Sequence, residues 1–140
     1  MKNLMIILGA MLFYGLAVVP VNGQSTPSTK INYAVLTNKV AQFQPISLAS
    51  KSLAQEDGDN FGQFKVVLYG PEVVQLTDYQ RMKPVLKMAR SSSMKLAVCA
   101  MALKKMKVDP ADIPPEFEVV DNAFLHALEL QKAGFFILSL

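Results

Sequence analysis

The amino-acid sequence predicts an α/β protein with a mostly parallel sheet of five strands and helices on both faces of that sheet. From Ile31 onward, short β-type runs alternate with helix-type stretches in the order β-α-β-α-β-α-β-α-β. This alternation is typical of parallel sheets, because each parallel connection needs a crossover, usually a helix. Two runs, Val66–Leu68 and Phe135–Leu138, are continuously apolar. Such runs indicate strands that are covered on both faces.

The predicted domain begins with a strand and a helix. Ile31–Thr37 (INYAVLT) is rich in residues that favour strands. A helix is predicted over Lys39–Gln55, where Pro45 must lie in the first turn or displace the start of the helix. Its apolar residues recur at roughly helical spacing: Phe43, Ile46 and Leu53.

A second strand and helix follow a polar turn. Glu56–Gly62 (EDGDNFG) predicts the turn, and Phe64–Tyr69 (FKVVLY) predicts a strand that ends at a Gly-Pro pair. A helix is predicted over Asp78–Arg90, with a kink or a late start because Pro84 lies inside it. The apolar stripe of this helix is formed by Met82, Val85, Leu86 and Ala89.

The third strand leads directly into a short helix. Lys95–Cys99 (KLAVC) predicts the strand, and Ala100–Lys107 predicts a helix whose terminal lysines suit the negative end of the helix dipole. The proline-containing segment Val108–Pro115 predicts a rigid loop, and Phe117–Val120 (FEVV) a fourth strand.

The last predicted helix has recognisable ends. Asp121 or Asn122 is a suitable N-cap, and the helix extends to Lys132. Gly134 is placed where a glycine commonly ends a helix, and the strand Phe135–Leu138 follows it.

The segment before the domain predicts export. Residues 1–23 combine Lys2 with an apolar stretch of 16 residues, Leu4–Val19, and a small residue before Gln24. This pattern is typical of a cleaved secretory signal peptide, and the stretch is shorter than the roughly 20 residues that span a bilayer. The sequence therefore predicts a signal peptide (1–23), a flexible leader (24–30) and one domain (31–140), in a periplasmic or secreted protein. An uncleaved signal acting as a membrane anchor is the alternative.

Composition argues against several classes of function. Loss of Lys2 with the signal peptide lowers the net charge from +3 to +2, and the remaining lysines are dispersed, which argues against nucleic-acid binding. One cysteine and one histidine cannot form an intramolecular disulfide or a typical metal-ligand set. We therefore expect no metal.

Catalytic motifs common on this type of sheet are missing from the sequence. No glycine follows the first strand, where nucleotide and flavin phosphates need close backbone approach, so we expect no cofactor. The G-x-S-x-G motif of hydrolases and the C-x-x-C motif of dithiol oxidoreductases do not occur. His126 is the one histidine available as a general base, and we favour a surface or interface role for it.

Cys99 is the candidate catalytic residue because of its position. It ends the third predicted strand and precedes a helix, and ligands of open parallel sheets bind beyond the carboxyl ends of the strands. The unpaired N–H groups of a helix amino terminus favour thiolate over thiol, and thiolate is the nucleophile. The alternative is a buried, inert cysteine, since free cysteine is among the most buried residue types.

Three features of the sequence occur together between Phe64 and Leu138. A strand that ends in Cys99 is followed by a short helix with leucine and basic residues and then by the loop Asp109–Pro114 (DPADIP). The closing segment Leu130–Phe135 (LQKAGF) is of the L-Q-x-x-G-(Y/F) type. In these features the segment resembles the DsrE/DsrF-like family of sulfur-handling proteins. Two features depart from the pattern of many relatives. The Gly-Asn-(Ser/Thr) that follows the cysteine is replaced by Ala-Met-Ala, and the histidine near the end of the second strand is replaced by Tyr69.

The resemblance implies a flavodoxin-like sheet, assembly into homo-trimers or hexamers, and a cysteine that holds sulfur as a persulfide. Cys99 matches that cysteine by position. The hypothesis that follows is a sulfur carrier or sulfurtransferase-like protein that passes sulfur to a partner protein, because the chain has no second cysteine to receive it. The competing hypothesis is a non-enzymatic oligomeric binding module with an inert Cys99.

Overall fold

The computed structural model describes residues 30–140, which form one sheet of five parallel strands. The strands follow the spatial order β4-β3-β2-β1-β5, and every neighbouring pair is parallel. This confirms the predicted α/β fold with a flavodoxin-like arrangement of parallel strands and helices. The strands are β1 (Ile31–Thr37), β2 (Phe61–Leu68), β3 (Met94–Cys99), β4 (Phe117–Val120) and β5 (Phe135–Ser139).

Four α-helices connect these strands. The first three crossovers step in one direction across the sheet, and the fourth returns past β1 to β5. Because such crossovers are right-handed, the first three helices lie on one face of the sheet and the fourth lies on the other. The helices are α1 (Phe43–Asp57), α2 (Tyr79–Ser91), α3 (Ala100–Lys105) and α4 (Ala123–Lys132).

Contacts between elements agree with this division, because α1 packs against α2 whereas α4 contacts β1 and β5. The ring of Phe43 in α1 packs edge-on against Phe117 of β4, with ring centroids 6.3 Å apart. The ring of Phe124 in α4 packs against Tyr69, which directly follows β2. The main core includes these fully buried residues: Phe43, Phe64, Val66, Val67, Leu68, Val73, Leu76, Met82, Val98 and Leu103.

The last strand is less covered than its sequence predicts. Val66–Leu68 in β2 is fully buried, as expected of a central strand, but β5 is an edge strand that pairs only with β1 among the described strands. Phe136 is 66% exposed and Leu138 is 55% exposed. The prediction that Phe135–Leu138 is covered on both faces is therefore wrong. The crossover through α4 places this segment beside β1 as an edge strand, where part of its surface stays exposed.

The start of β2 also differs from the prediction. The predicted turn Glu56–Gly62 ends earlier, and β2 begins at Phe61. A bulge opposite Asn32 extends the strand: the Asn32 side-chain oxygen accepts a hydrogen bond from the Gln63 backbone N–H (2.8 Å). Gly62 allows this close approach, since a β-carbon there would lie 2.9 Å from the Ile31 carbonyl oxygen.

Prolines and helix ends account for the remaining differences. The first helix begins at Phe43 instead of the predicted Lys39, and this displaced start places Pro45 in the first turn of α1. In contrast, α2 begins at Tyr79 and continues through Pro84 without a late start. The third helix ends at Lys105, two residues before its predicted end, and Lys107 has a positive φ of 57°. The predicted signal peptide (1–23) and the leader up to residue 29 lie outside the described residues.

Candidate functional site

Cys99 lies where the sequence predicts it. It is the last residue of β3, is paired with Val120 of β4, and is also the N-cap of α3. Its thiol is free, and the residue is only 6% exposed. The structure thus places the cysteine at the carboxyl edge of the sheet, in a largely buried position.

A cavity of about 450 Å³ lies against Cys99. Its lining comes from the segments that follow β2, β3 and β4, so it lies at the carboxyl ends of the three strands, where parallel sheets bind ligands. The volume is within the range of about 300–1,000 Å³ that is typical of small-molecule sites. The lining residues are Tyr69, Gly70, Pro71, Cys99, Met101, Ala102, Lys105, Met106, Asn122, Ala123 and Phe124.

Two aromatic rings form one part of the lining. The rings of Tyr69 and Phe124 meet edge-on, with centroids 5.3 Å apart and an interplanar angle of 61°. The N-cap of α4 fixes the position of Phe124, because the Asn122 side-chain oxygen accepts hydrogen bonds from the backbone N–H groups of Phe124 (2.9 Å) and Leu125 (3.2 Å). Of the two predicted caps, Asn122 is therefore the one used.

The conformation of the loop after β2 depends on a glycine and on a hydrogen bond to the loop after β1. Gly70 has a φ of 76°, a backbone conformation that residues with a side chain rarely adopt. A β-carbon there would lie 3.3 Å from the β-carbon of Asn38. The carboxylate of Glu72 in the same loop accepts a hydrogen bond from the Val40 backbone N–H (2.6 Å). This contact joins the loops that follow β1 and β2 and stabilises one wall of the cavity.

The amino terminus of α3 offers fewer free donors than the sequence indicates. The backbone N–H of Met101 already donates to the carbonyl oxygen of Asp121 (3.3 Å), and the Cys99 side chain accepts no capping hydrogen bond. The helix has six residues, so its dipole is small. The helix terminus therefore offers Cys99 fewer hydrogen-bond donors than the sequence predicts.

Among residues 30–140, Lys105 is the one charged residue that lines the cavity. It occupies the last position of α3, and the neighbouring Lys104 is absent from that lining. Sequence reasoning assigned both lysines only to the helix end. Met101 and Lys105 are four residues apart on α3 and therefore share one face of the helix, which borders the cavity. This spacing is the sequence signal that could have brought Lys105 into the site.

His126 does not join Cys99. It lies on α4 in a separate depression with Val119, Asp121 and Glu129, and it is absent from the lining of the cysteine cavity. Its Nε2 atom is buried and has no hydrogen-bond partner among the described residues. The structure therefore gives no support for His126 as a general base acting on Cys99.

Within residues 30–140, no group of three or more His, Cys, Asp or Glu side chains is arranged to hold a metal ion. No helix in this same range has the length and apolar character needed to cross a membrane.

Comparison with known proteins supports the fold and gives no function. No family model matches the chain, and no curated protein matches it. Among solved structures, the chain is similar to MTH1491 from Methanobacterium thermoautotrophicum, a protein of unknown function, with 15% sequence identity and a TM-score of 0.62. The match covers 78% of this chain and 100% of that protein. At this identity the likeness establishes a shared α/β fold alone.

Proposed function

We propose that this protein is a sulfur carrier that holds sulfane sulfur as a persulfide on Cys99 and passes it to a partner protein. The observation that carries the proposal is the position of the thiol, which lies at the carboxyl edge of a parallel sheet and borders a cavity of ligand size. The resemblance of the sequence around Cys99 to the DsrE/DsrF-like family supports the same role.

The chemistry requires a donor with a sulfur–sulfur bond. The Cys99 thiolate attacks the terminal sulfur of the donor, a new sulfur–sulfur bond forms on Cys99, and the donor's bond breaks with its electron pair leaving on the remaining sulfur. No external oxidant is needed, because the sulfane sulfur is transferred without a net change in the redox state of the pair. Cys99 is the only cysteine of the chain, so the sulfur must leave to another molecule.

Burial of Cys99 suits a carrier. A persulfide in an exposed position is open to reductants and to other thiols, whereas a sulfur at the base of an apolar cavity reacts only with molecules that enter the cavity or remodel it. The 6% exposure of Cys99 also favours the second candidate function, an oligomeric binding module with an inert cysteine. The two functions differ in whether the folded protein lets a sulfur donor reach the thiol.

Loading with inorganic polysulfide distinguishes these two functions. After incubation of the folded protein, we expect peptide mass spectrometry to find one additional sulfur on Cys99 that a reductant removes. Cys99→Ser should carry no such sulfur and should unfold at a similar denaturant concentration. A wild-type thiol that resists both polysulfide and iodoacetamide until the protein is unfolded would reject the carrier and leave the binding module.

Export and self-association complete the proposal. The apolar segment after Lys2 supports a periplasmic or secreted protein. Exposed apolar side chains on the edge strand, Phe136 and Leu138, support a homo-oligomer, because burial of such side chains between subunits is favourable. A trimer or hexamer is the assembly that the family resemblance implies.

A further inference from the structure

The cavity beside Cys99 has properties that the cysteine alone does not explain. A thiol that exchanges sulfur only with a small inorganic ion needs a cavity no larger than that ion. The observed cavity has a volume of about 450 Å³, enough for an organic molecule, and most of its lining is apolar. We propose that it binds a small apolar anion, a molecule with an aromatic or branched aliphatic body and a single negative charge.

The walls of the cavity favour an apolar body. The rings of Tyr69 and Phe124 offer an edge-on aromatic pair, against which a third ring can pack in the offset or edge-to-face geometry that aromatic rings prefer. Met101 and Met106 add flexible thioether side chains, which adapt to the shape of a ligand and make favourable contacts with aromatic rings. Phe124 is 59% exposed in the absence of a ligand, so a bound molecule would remove apolar surface from water.

The charge of the ligand follows from Lys105. It is the one charged residue that the described part of the chain contributes to the lining, and no carboxylate from that part lines the cavity. Lys105 also makes no salt bridge with any described carboxylate. An anionic group on the ligand is complementary to this ammonium group, whereas a cationic ligand would meet an unopposed like charge.

The ligand class also identifies a sulfur donor, a step that rests on the proposed function. A donor of this class is an organic persulfide, R–S–SH, in which R is the apolar body and carries the single anionic group. The Cys99 thiolate attacks the terminal sulfur, the Cys99 S–S bond forms, and the donor's S–S bond breaks to release R–S⁻ with the electron pair. The terminal sulfur keeps its hydrogen. The anionic group on R is complementary to Lys105, which lines the same cavity as Cys99.

The binding test uses the Cys99→Ser variant, so that reactions of the thiol cannot interfere with binding. The probe is 8-anilinonaphthalene-1-sulfonate, an aromatic monoanion whose fluorescence rises in apolar surroundings, titrated into the Cys99→Ser protein. Its uncharged counterpart, N-phenyl-1-naphthylamine, serves as the matched probe that lacks the sulfonate. We expect saturable binding of the anion to Cys99→Ser at one site per chain.

Two pairs of variants locate the site. Lys105→Gln should weaken binding of the anion roughly twofold to fivefold, as expected for an exposed ion pair, and should leave the uncharged probe unaffected. Its control is Lys104→Gln, an exposed lysine of the same helix outside the cavity lining. Phe124→Ala should weaken both probes by about fivefold to tenfold. Its control is Leu128→Ala, because Leu128 is 58% exposed on α4 and does not line the cavity.

The outcomes separate this inference from the proposed function. Equal losses in Phe124→Ala and Leu128→Ala, or no saturable binding to Cys99→Ser, would overturn the binding site. Equal effects of Lys105→Gln and Lys104→Gln would overturn the assignment of charge. If the anion binds as expected but wild-type Cys99 accepts no sulfur from polysulfide, the anion site is supported. Only its role as a site for a sulfur donor is then rejected.

Discussion

The ring of Phe124, in the first turn of α4, packs edge-on against the ring of Tyr69, which directly follows β2, with centroids 5.3 Å apart. This pair joins two segments that are distant in the sequence, and both residues line the cavity beside Cys99. The contact therefore couples the position of α4 to the candidate site. Residues that hold α4 in place are expected to influence the cavity as well as the stability of the fold.

Asn122 is the clearest example of such a residue. Asn122→Ala removes the acceptor for the backbone N–H groups of Phe124 and Leu125. Loss of an N-cap of this type should lower the free energy of unfolding by about 0.5–2 kcal/mol, measured by urea denaturation. Asn122→Asp keeps a capping oxygen and should restore most of that loss. Equal destabilisation by both substitutions would show that the cap is not the cause.

Tyr33 predicts a dependence of stability on alkaline pH. Burial raises its pKa from 10.0 to about 12, with further contributions from the hydrogen bond that its hydroxyl donates to Asp57 (2.8 Å) and from the negative charges of Asp57 and Glu56. The unfolded chain thus releases this proton at lower pH than the folded protein. The stabilising contribution is complete below about pH 10 and is lost as the pH rises through 12.

The measurement compares the free energy of unfolding between pH 9 and pH 12 in matched variants. Tyr33→Phe has no hydroxyl to titrate, so the difference in stability between wild type and this variant should shrink as the pH rises. Tyr79→Phe removes the hydroxyl of an exposed tyrosine and serves as the control, which should follow the wild-type curve. A constant difference between wild type and Tyr33→Phe over this range would contradict the assignment.

Self-association should appear in sedimentation velocity. Apolar side chains are exposed at the β5 edge and on α4, among them Phe136, Leu138, Phe124 and Leu128. Burial of such exposed apolar side chains between subunits is favourable. We expect a species larger than the monomer at micromolar concentration, with a mass of three or six chains as the family resemblance implies. A monomer across the whole concentration series would be evidence against assembly.

Export should be visible in the mass of the natural product. The predicted signal peptide ends at Gly23, so the intact mass of protein recovered from its native host should correspond to a chain that begins at or near Gln24. Replacing apolar residues of Leu4–Val19 with lysine should block this processing, because a signal peptide needs an uninterrupted apolar core. A full-length product in the membrane fraction would instead establish the uncleaved anchor.

Much of the fold follows from the sequence, because the spacing of apolar residues and the residues that end helices and strands are local properties. β1 and β4 have the predicted bounds, Ile31–Thr37 and Phe117–Val120, and the other elements differ by a few residues at their ends. Asn122 has a capping side chain and Gly134 a positive φ of 87°, both consistent with helix-end patterns that depend only on neighbouring residues. The alternation of strands and helices then favours a parallel sheet, which the structure confirms.

The tertiary structure alone decides which strand lies at the edge and which residues share the cavity with Cys99. The apolar pattern of Phe135–Leu138 is the same whether a strand is central or at an edge, since the order of strands depends on the direction of each crossover. Lys105 and Phe124 belong to the cavity because one face of α3 borders it and α4 begins beside the end of β2. Such distances between separate segments have no counterpart in sequence spacing. The sequence by itself therefore determined the fold class and the position of Cys99 at a strand end, whereas only the packing of α3 and α4 against the sheet decided what surrounds its sulfur.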